Sequence, residues 1–560
     1  MIETCSMNRS IADLTGNTFD VAIVGGGIYG ASVARDAAMR GLSVALVDQG
    51  DFAHATSANH GRIVHGGLRY LQHGDFARMR HSIEERRHHL RTAPHLVRPL
   101  PFVVPCYRGL RPGKTLFGLA LGLNDLISFD RNRGLHRSQR IPAGRLLTRT
   151  DCLALCPLIE KDNLYAGGLY YDAQFLNPER LTLSILRSAV AAGAKVANYM
   201  KVTQFLHQDR VVTGLCGTDM LTGEKITIRA RMVVNCAGPW IARTLELLTP
   251  NCRPFGTSFV RGMLFVTRPL VKDVAVMIPV PEGYRDPDAI LQKGYRNFTI
   301  APWRNRSLIG GYHVRHEGSP DEGAPTERDI EDFLRMINTA VPSARLDRKD
   351  VLAVYGGLLF GDDRSQSSDG VSCRKHYEIR DHEVVDDVHG LVSVLGVKFT
   401  TARGVAEKVV DLLFTKLGRR PVQCLTADTP VWGGEMEDPD RFLDSALEAG
   451  CAGVAPSTIR HLVENYGTRY REVLSHVEHD KSLLEPLAAS SPVIGAEVIH
   501  GIRTEMAQTL GDIVFRRTIL GSERDQSRDV IERCADIMAS ELKWSPSRRN
   551  QEQKAVDAIW

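Results

Sequence analysis

The chain has 560 residues, 43% of them hydrophobic and 24% charged, with a formal net charge of +4. That balance suits a globular protein of about two to four domains and supplies no global field for nucleic acid, which is excluded as a partner. Eleven Cys without even pairing fit a reducing compartment better than a disulfide framework.

The opening "MIETCSMNRSIADLTGNTFD" has no apolar core of signal-peptide length. No window reaches the ~20 apolar residues that span a membrane. The nearest approach, "TLFGLALGLNDLISF" from Thr115, is interrupted by Asn124 and Asp125. The expected location is cytoplasmic, or peripheral on the inner face of the membrane.

Residues 19–27, "FDVAIVGGG", read as a buried parallel strand ending in glycines. "IYGASVARDAAMRG" follows with helical spacing and closes at Gly41, and "LSVALVDQG" is a second buried strand. Gly25, Gly27 and Gly30 stand in G-x-G-x-x-G spacing, with Asp48 ending the second strand. The first glycines allow a tight turn and close approach of a pyrophosphate to a helix N-terminus. The third allows close helix–strand packing, and the acid accepts from a ribose hydroxyl. Strand, helix, strand and acid in this order predict a dinucleotide site, with nicotinamide and flavin both open on these residues alone.

Residues 64–74, "VHGGLRYLQHG", combine His, Gly, Arg and Tyr in one short stretch. It is either a capped turn or the wall of an active site. Residues 78–100, "RMRHSIEERRHHLRTAPHLVRPL", are dense in Arg and His and precede the apolar "TLFGLALGL". A basic stretch beside an apolar one can dock on anionic lipid; alternatively Arg86 and Arg87 pair with Glu84 and Glu85 on a solvated helix face. Cys152 and Cys156 in "DCLALCPL" have no neighbouring His or Cys and read as structural, so no metal centre is expected.

Further on, "KITIRARMVV", "GMLFVTRPL" and "NFTIAPWRNRSLIGGYHV" alternate as strands of a mainly antiparallel sheet. Residues 230–240, "ARMVVNCAGPW", and residues 390–413, "GLVSVLGVKFTTARGVAEKVVDLL", read as strands returning to the nucleotide sheet. The second leads into a helix with Thr400 or Thr401 near its start and Lys398 just before it. From residue 429 onward the segments are helix-like, including "PSTIRHLVENYGTRYREVLSHV" and "SRDVIERCADIMASEL". The expected fold is α/β: a Rossmann-like dinucleotide-binding domain with an inserted, mainly antiparallel β-sheet domain, together spanning 19–424, and an all-α C-terminal domain over 425–560.

The order of these motifs resembles the FAD-dependent glycerol-3-phosphate dehydrogenases of the aerobic type. The likeness is carried by "DVAIVGGGIYGASVARDAAMRGLSVALVDQGDFAHATSANHGRIVHGGLRYL", "VVNCAGPW", "LGVKFTTAR" and the helical tail, across residues 19–540. It implies bound FAD and oxidation of glycerol 3-phosphate, a small phosphorylated polyol, to dihydroxyacetone phosphate by hydride transfer to flavin N5. It also implies electrons passed to a quinone or similar acceptor at a membrane surface.

By the same resemblance, Gly25, Gly27, Gly30 and Asp48 hold the ADP half of FAD, and Thr56 and Ser57 sit near its pyrophosphate or isoalloxazine. Gly238 is a further cofactor-binding position, and Lys398 and Thr400 approach the flavin N1/O2 edge. His65 and Arg69, with Tyr70, face the substrate, and Arg374 matches a substrate-phosphate arginine. The chemistry agrees. Alcohol oxidation needs a base near neutral pKa, which suits His. A Lys before a helix N-terminus stabilises anionic reduced flavin, and a phosphate favours Arg.

Three substrate-side segments depart from the family. Its Gly-Val-Arg-Pro, whose Arg contacts the phosphate, reads "YGGLLFGDD" here and places Leu359 at the arginine. Its Gly-Thr-Thr-Asp reads "GGYHVRHEG", with Tyr312 and His313 at the last two positions, and its Lys-Gly-Ser-His reads "RGML" from Arg261. One lost charge-assisted contact costs about 1.5–3 kcal/mol. Arg261, His313 and Arg364 are the substrate-side candidates to replace it. The alternatives are an FAD-dependent oxidase or dehydrogenase of another hydroxy- or amino-substrate, or a catalytically inactive flavoprotein.

Overall fold

A computed structural model describes residues 6–110, 113–248, 258–280, 296–361, 377–478, 480–488, 491–522 and 528–559. The chain divides into two compact units: Met1–Ala58 with Asn177–Thr257 and Lys375–Trp560, and Asn59–Leu176 with Ser258–Arg374.

In the first unit the strand order is Tyr377–Asp381, Leu391–Gly396, Lys225–Asn235, Thr18–Val24, Val44–Val47, Lys195–Ala197. Thr18–Val24 runs parallel to both of its neighbours. A strand covered on both faces must be apolar at consecutive positions, and Phe19 to Val24 are all buried. The helices Ile28–Met39 and Ala402–Lys416 pack together in this unit, so the start of each is carried by a strand of the same sheet.

The segment "KITIRARMVV" belongs to this sheet, not to the inserted one. Lys225–Asn235 is one strand doing two jobs. Its first half pairs antiparallel with Val211–Asp219, and its second half runs parallel to Thr18–Val24. Its alternation of buried and exposed residues gives way to four consecutive buried ones, Met232 to Asn235, where it enters the parallel core.

Beyond Lys416 the first unit is mainly helical among the described residues. Pro439–Ala449, Pro456–Tyr466 and Tyr470–Ser475 pack around Leu462, Tyr466 and Val473. Gly495–Glu505, Arg528–Leu542 and a π-helical turn at Ile513–Arg517 pack around Val498, Ile513 and Cys534.

The second unit is built on a mainly antiparallel sheet ordered Val351–Phe360, Phe259–Thr267, Arg306–His316, Arg296–Trp303, Ala275–Val280, Val97–Tyr107, Leu164–Phe175, Ile63–Val64. The Ala275–Val280 and Val97–Tyr107 pairing is parallel. Helix Glu327–Ala340 covers one face, with Phe333 against Phe265 and Tyr312. Cys152 and Cys156 are buried in that core.

Two further helices of this unit carry the basic and the apolar stretches of the sequence. Phe76–Thr92 carries the basic stretch, and its arginines do not pair with Glu84 and Glu85 as a group. Arg86 pairs with Asp172, Arg87 with Asp130, and Arg80 with both Glu84 and Asp130. Adjacent residues on a helix point about 100° apart, so Arg86 and Arg87 reach different partners. Lys114–Ile127 instead leaves Leu119 and Leu126 68% and 71% exposed. Among the described residues no helix is long and apolar enough to cross a membrane.

Candidate functional site

The first unit holds a cradle for a dinucleotide. Gly25 has φ 103°, and a Cβ there would lie 2.5 Å from Cys236 O, where the 230–240 segment passes it. A Cβ on Gly30 would overlap Gly25 O, and one on Gly27 would meet Ser57 Oγ at 3.0 Å. These three glycines therefore bring strand, helix and the 48–57 loop into close approach. Gly27 caps helix Ile28–Met39 without a side-chain hydrogen bond, and the first turn has no acid. The positive end of that helix is left to an anion.

Asp48 is buried, and its two oxygens accept from Gly26 N (2.6 Å) and Gly50 N (2.9 Å). A carboxylate has about four acceptor positions, so capacity remains for ribose hydroxyls. Ser57 Oγ accepts from Ile28 N at 3.0 Å, which places that hydroxyl at the helix start. Thr56 is half-buried beside it, and Gly238 adopts φ 55° at the end of the returning strand. The donor set fits a pyrophosphate and an adenosine ribose.

Lys398 and Thr400 stand in the turn from Leu391–Gly396 into Ala402–Lys416; Lys398 is half-buried and Thr400 buried. That turn is held by a residue the sequence reading missed. Tyr29 OH donates to Lys398 O at 2.8 Å, and a Cβ on Gly396 would overlap the Tyr29 ring. Burial raises the Tyr29 phenol, so it stays a neutral donor. Tyr29 thus ties the first turn of the dinucleotide helix to the turn carrying Lys398.

The second unit contains the "HGGLRY" turn, and here a buried carboxylate organises everything. Asp172, on Leu164–Phe175, accepts from Gly66 N (2.6 Å) and pairs through the same oxygen with Arg86. Its other oxygen lies 3.4 Å from His65 Nδ1. A Cβ on Gly66 would overlap Arg86 Nη1 and sit 2.9 Å from Asp172 Oδ1, so this glycine is what lets the backbone reach the pair. Gly67 then turns with φ 87° into Leu68–His73. The His65 side chain is 54% exposed, so a buried acid orients a histidine that solutes can reach.

Asp172 and Arg86 were also missed, although Arg86 gave a signal. It sits on the same helical stripe as Met79, Ile83 and Leu90, all buried, and an arginine on an apolar stripe implies a buried acid elsewhere. Arg69 is exposed on the turn. Tyr70 is buried against Leu71, Met79 and Ile83, with the Arg78 guanidinium over its ring.

The remaining substrate-side residues are placed as follows. Arg261 pairs with Asp329 at 3.0 Å and donates to Ala324 O. His313 is half-buried opposite Gly262 in the adjoining strand, and Leu359 opposes Val260. Arg364 and Arg374 lie outside the described residues.

The profile of the FAD dependent oxidoreductase family matches residues 20–412, and that of the C-terminal domain of alpha-glycerophosphate oxidase matches 424–549. The chain is 32% identical to a glycerol-3-phosphate dehydrogenase of Synechocystis, over 91% of this chain and 90% of that one. It is 31% identical to one of Mycobacterium leprae, over 96% and 88% of the two chains. Among solved structures it resembles the glycerol-3-phosphate dehydrogenase from Bacillus halodurans complexed with FAD. That likeness has a TM-score of 0.75 and 26% identity, covering 98% of this chain and 96% of that one.

Proposed function

The chain belongs to the family of FAD-dependent glycerol-3-phosphate dehydrogenases, and we propose from that premise that it oxidises glycerol 3-phosphate to dihydroxyacetone phosphate. The observation that carries this reading is the His65–Asp172 pair at the glycine turn. FAD, when bound, supplies the two-electron acceptor for the hydride leaving the carbinol carbon, at its N5. The chain's own residues do the rest.

His65 takes the hydroxyl proton, and Asp172 holds its ring in place. Arg69 supplies an exposed cation for the phosphate on the same turn. Lys398, just ahead of a helix N-terminus, stabilises the negative charge of the reduced cofactor. Asp48, Ser57 and the three glycines hold the ADP half.

We also place the enzyme at a membrane surface, passing electrons to a quinone. Leu119, Leu123 and Leu126 form one exposed stripe at helical spacing on Lys114–Ile127, continued by Phe129, which is 80% exposed. Exposed Lys114, Arg133, Arg137 and Arg145 lie in the same region of the chain, and such a pattern suits an anionic lipid surface.

A second reading has its own observation. Leu359 stands at the family's phosphate arginine, and Arg261 is already committed to Asp329. This favours another hydroxy- or amino-substrate on the same cofactor. Anaerobic mixing of the FAD-loaded protein with glycerol 3-phosphate separates the two. Rapid loss of flavin absorbance supports the first; bleaching by dithionite alone means a different substrate.

A further inference from the structure

The loop from Asp48 to Ser57 carries two of the groups that hold the cofactor, and its middle is anchored on the helical C-terminal segment. Asp51 has a side chain 1% exposed. Arg517 donates to it through both terminal nitrogens, at 2.6 and 2.8 Å, in the two-pronged geometry that fits a carboxylate. Arg516 donates to the same carboxylate through Nε and to Asp512 Oδ1 through Nη2 at 2.6 Å. Consecutive residues of an α-helix diverge, yet both guanidiniums reach one acid here, on the π-helical turn Ile513–Arg517.

Asp51 and Asp512 offset Arg516 and Arg517, and all four side chains are largely buried; Glu505, itself paired with Arg180, lies 4.0 Å from Arg517 Nε. Asn198 Nδ2 donates to Asp51 Oδ1 and Met506 O, and Tyr199 OH donates to Asp512 Oδ1 at 2.6 Å. The same strand start grips the loop backbone: Tyr199 N donates to Gly50 O, and Met200 N to Asp48 O. From Asp51 the loop runs directly into Phe52, which is buried, and a Cβ on Gly26 would lie 2.5 Å from its ring. A continuous set of contacts therefore joins residues 505–517 to the glycine turn.

We propose that the helical C-terminal segment is a cofactor clamp, in which Arg516 and Arg517 act through Asp51 as positioning residues for the loop bearing Asp48 and Ser57. Removing one member of this buried group leaves an uncompensated charge, so the loop shifts rather than merely loosening. Linkage makes the coupling reciprocal: FAD holds residues 510–522 in place as firmly as they hold FAD.

The test uses the full chain, stripped of FAD and reloaded. Variants are Asp51→Asn and Arg517→Lys, with Arg503→Gln as a control that breaks the Arg503–Glu541 pair of the same helical segment. FAD affinity is read from flavin fluorescence during titration of the apoprotein. The FAD-induced rise in Tm is read alongside it. The clamp predicts that Asp51→Asn weakens FAD about tenfold or more and shrinks the Tm rise, that Arg517→Lys falls between it and wild type, and that Arg503→Gln changes neither. A drop in Tm that is equal with and without FAD, at unchanged affinity, would reduce the network to ordinary structure and overturn the proposal. Should the variants fail to fold, hydrogen exchange on the wild type decides. Slower exchange across 510–522 on adding FAD supports the clamp, and equal exchange overturns it. A wild type that binds no FAD overturns the cofactor assignment as well.

Discussion

His65 Nδ1 lies 3.4 Å from Asp172 Oδ2, and the other oxygen of that carboxylate is held by Gly66 N and Arg86. One buried acid therefore orients the histidine, shapes the turn and neutralises a buried arginine. Because it does three things, the two partners separate cleanly under mutation. His65→Asn removes a proton acceptor from an exposed position and is expected to slow anaerobic flavin reduction by about 100- to 10,000-fold. Bound FAD and bleaching by dithionite should be unchanged. Asp172→Asn also leaves Arg86 buried without its charge partner and is expected to cost about 3–5 kcal/mol in a urea melt. A His65→Asn enzyme within about threefold of wild type would remove histidine from the chemistry.

The Tyr29–Lys398 contact makes a second prediction. If Lys398 stabilises the reduced cofactor, freeing its turn should weaken that effect. Tyr29→Phe keeps the ring over Gly396 and deletes the hydrogen bond to Lys398 O, worth about 0.5–1.5 kcal/mol, together with the longer one accepted from Lys398 N at 3.4 Å. Expressed on a two-electron couple, the flavin potential should fall by roughly 10–30 mV. Lys398→Met should lower it further. Spectroelectrochemical titration of both variants measures this, and an unchanged potential in Lys398→Met refutes the role given to Lys398.

The cofactor half of the site was legible because its determinants are local. Gly25, Gly27, Gly30 and Asp48 span one strand–helix–strand unit; backbone atoms exclude a Cβ at Gly25 and Gly30, and Gly27 sits tightly against Ser57 Oγ. The substrate half was legible only in part. Asp172 stands 106 residues from the Gly66 it holds, joined by a pairing across a sheet that no periodicity announces. Of the two alternatives for the basic stretch, pairing of Arg86 and Arg87 with the adjacent Glu84 and Glu85 does not occur, because such side chains diverge around a helix and reach Asp172 and Asp130 instead. Arg517 lies 466 residues from Asp51, and the π-turn that brings Arg516 to the same acid has no signature in composition.

The helical segment also titrates. Arg187 Nη1 lies 3.3 Å from His500 Nε2, and Glu505 Oε1 lies 3.6 Å from the same nitrogen. His500 Nδ1 in turn lies 3.3 Å from His476 Nε2. Burial pushes both histidines down, with the neighbouring His500 adding to the effect on His476, which reaches about 4. Below the ordinary histidine pKa of about 6.5, the unfolded chain takes up a proton at His476 that the folded chain refuses until about pH 4. Stability therefore falls as pH drops through that window and is flat above it. The slope is on the order of 1 kcal/mol per pH unit, reduced from the full value because His476 is only partly buried. Urea melts at pH 7.5 and 5.5 should show a smaller loss for His476→Gln; equal losses would assign the acid sensitivity elsewhere.

The exposed stripe on Lys114–Ile127 gives the last prediction. Leu126 and Phe129 are 71% and 80% exposed, and neither supports the core, so replacing both with Ser should leave folding within about 0.5 kcal/mol of wild type. Each large apolar side chain entering the interface contributes on the order of 1.5–3 kcal/mol, so losing two should weaken binding to anionic vesicles by well over tenfold. Turnover with a soluble electron acceptor should persist, while turnover with a quinone dissolved in the vesicles should fall with binding. Arg137→Glu offers an independent check. It should weaken binding at low salt and have less effect at high salt, because only the electrostatic part is screened. Co-sedimentation with phosphatidylglycerol vesicles measures both. If the double variant sediments like wild type, the stripe does not face lipid and the quinone must be reached from another surface.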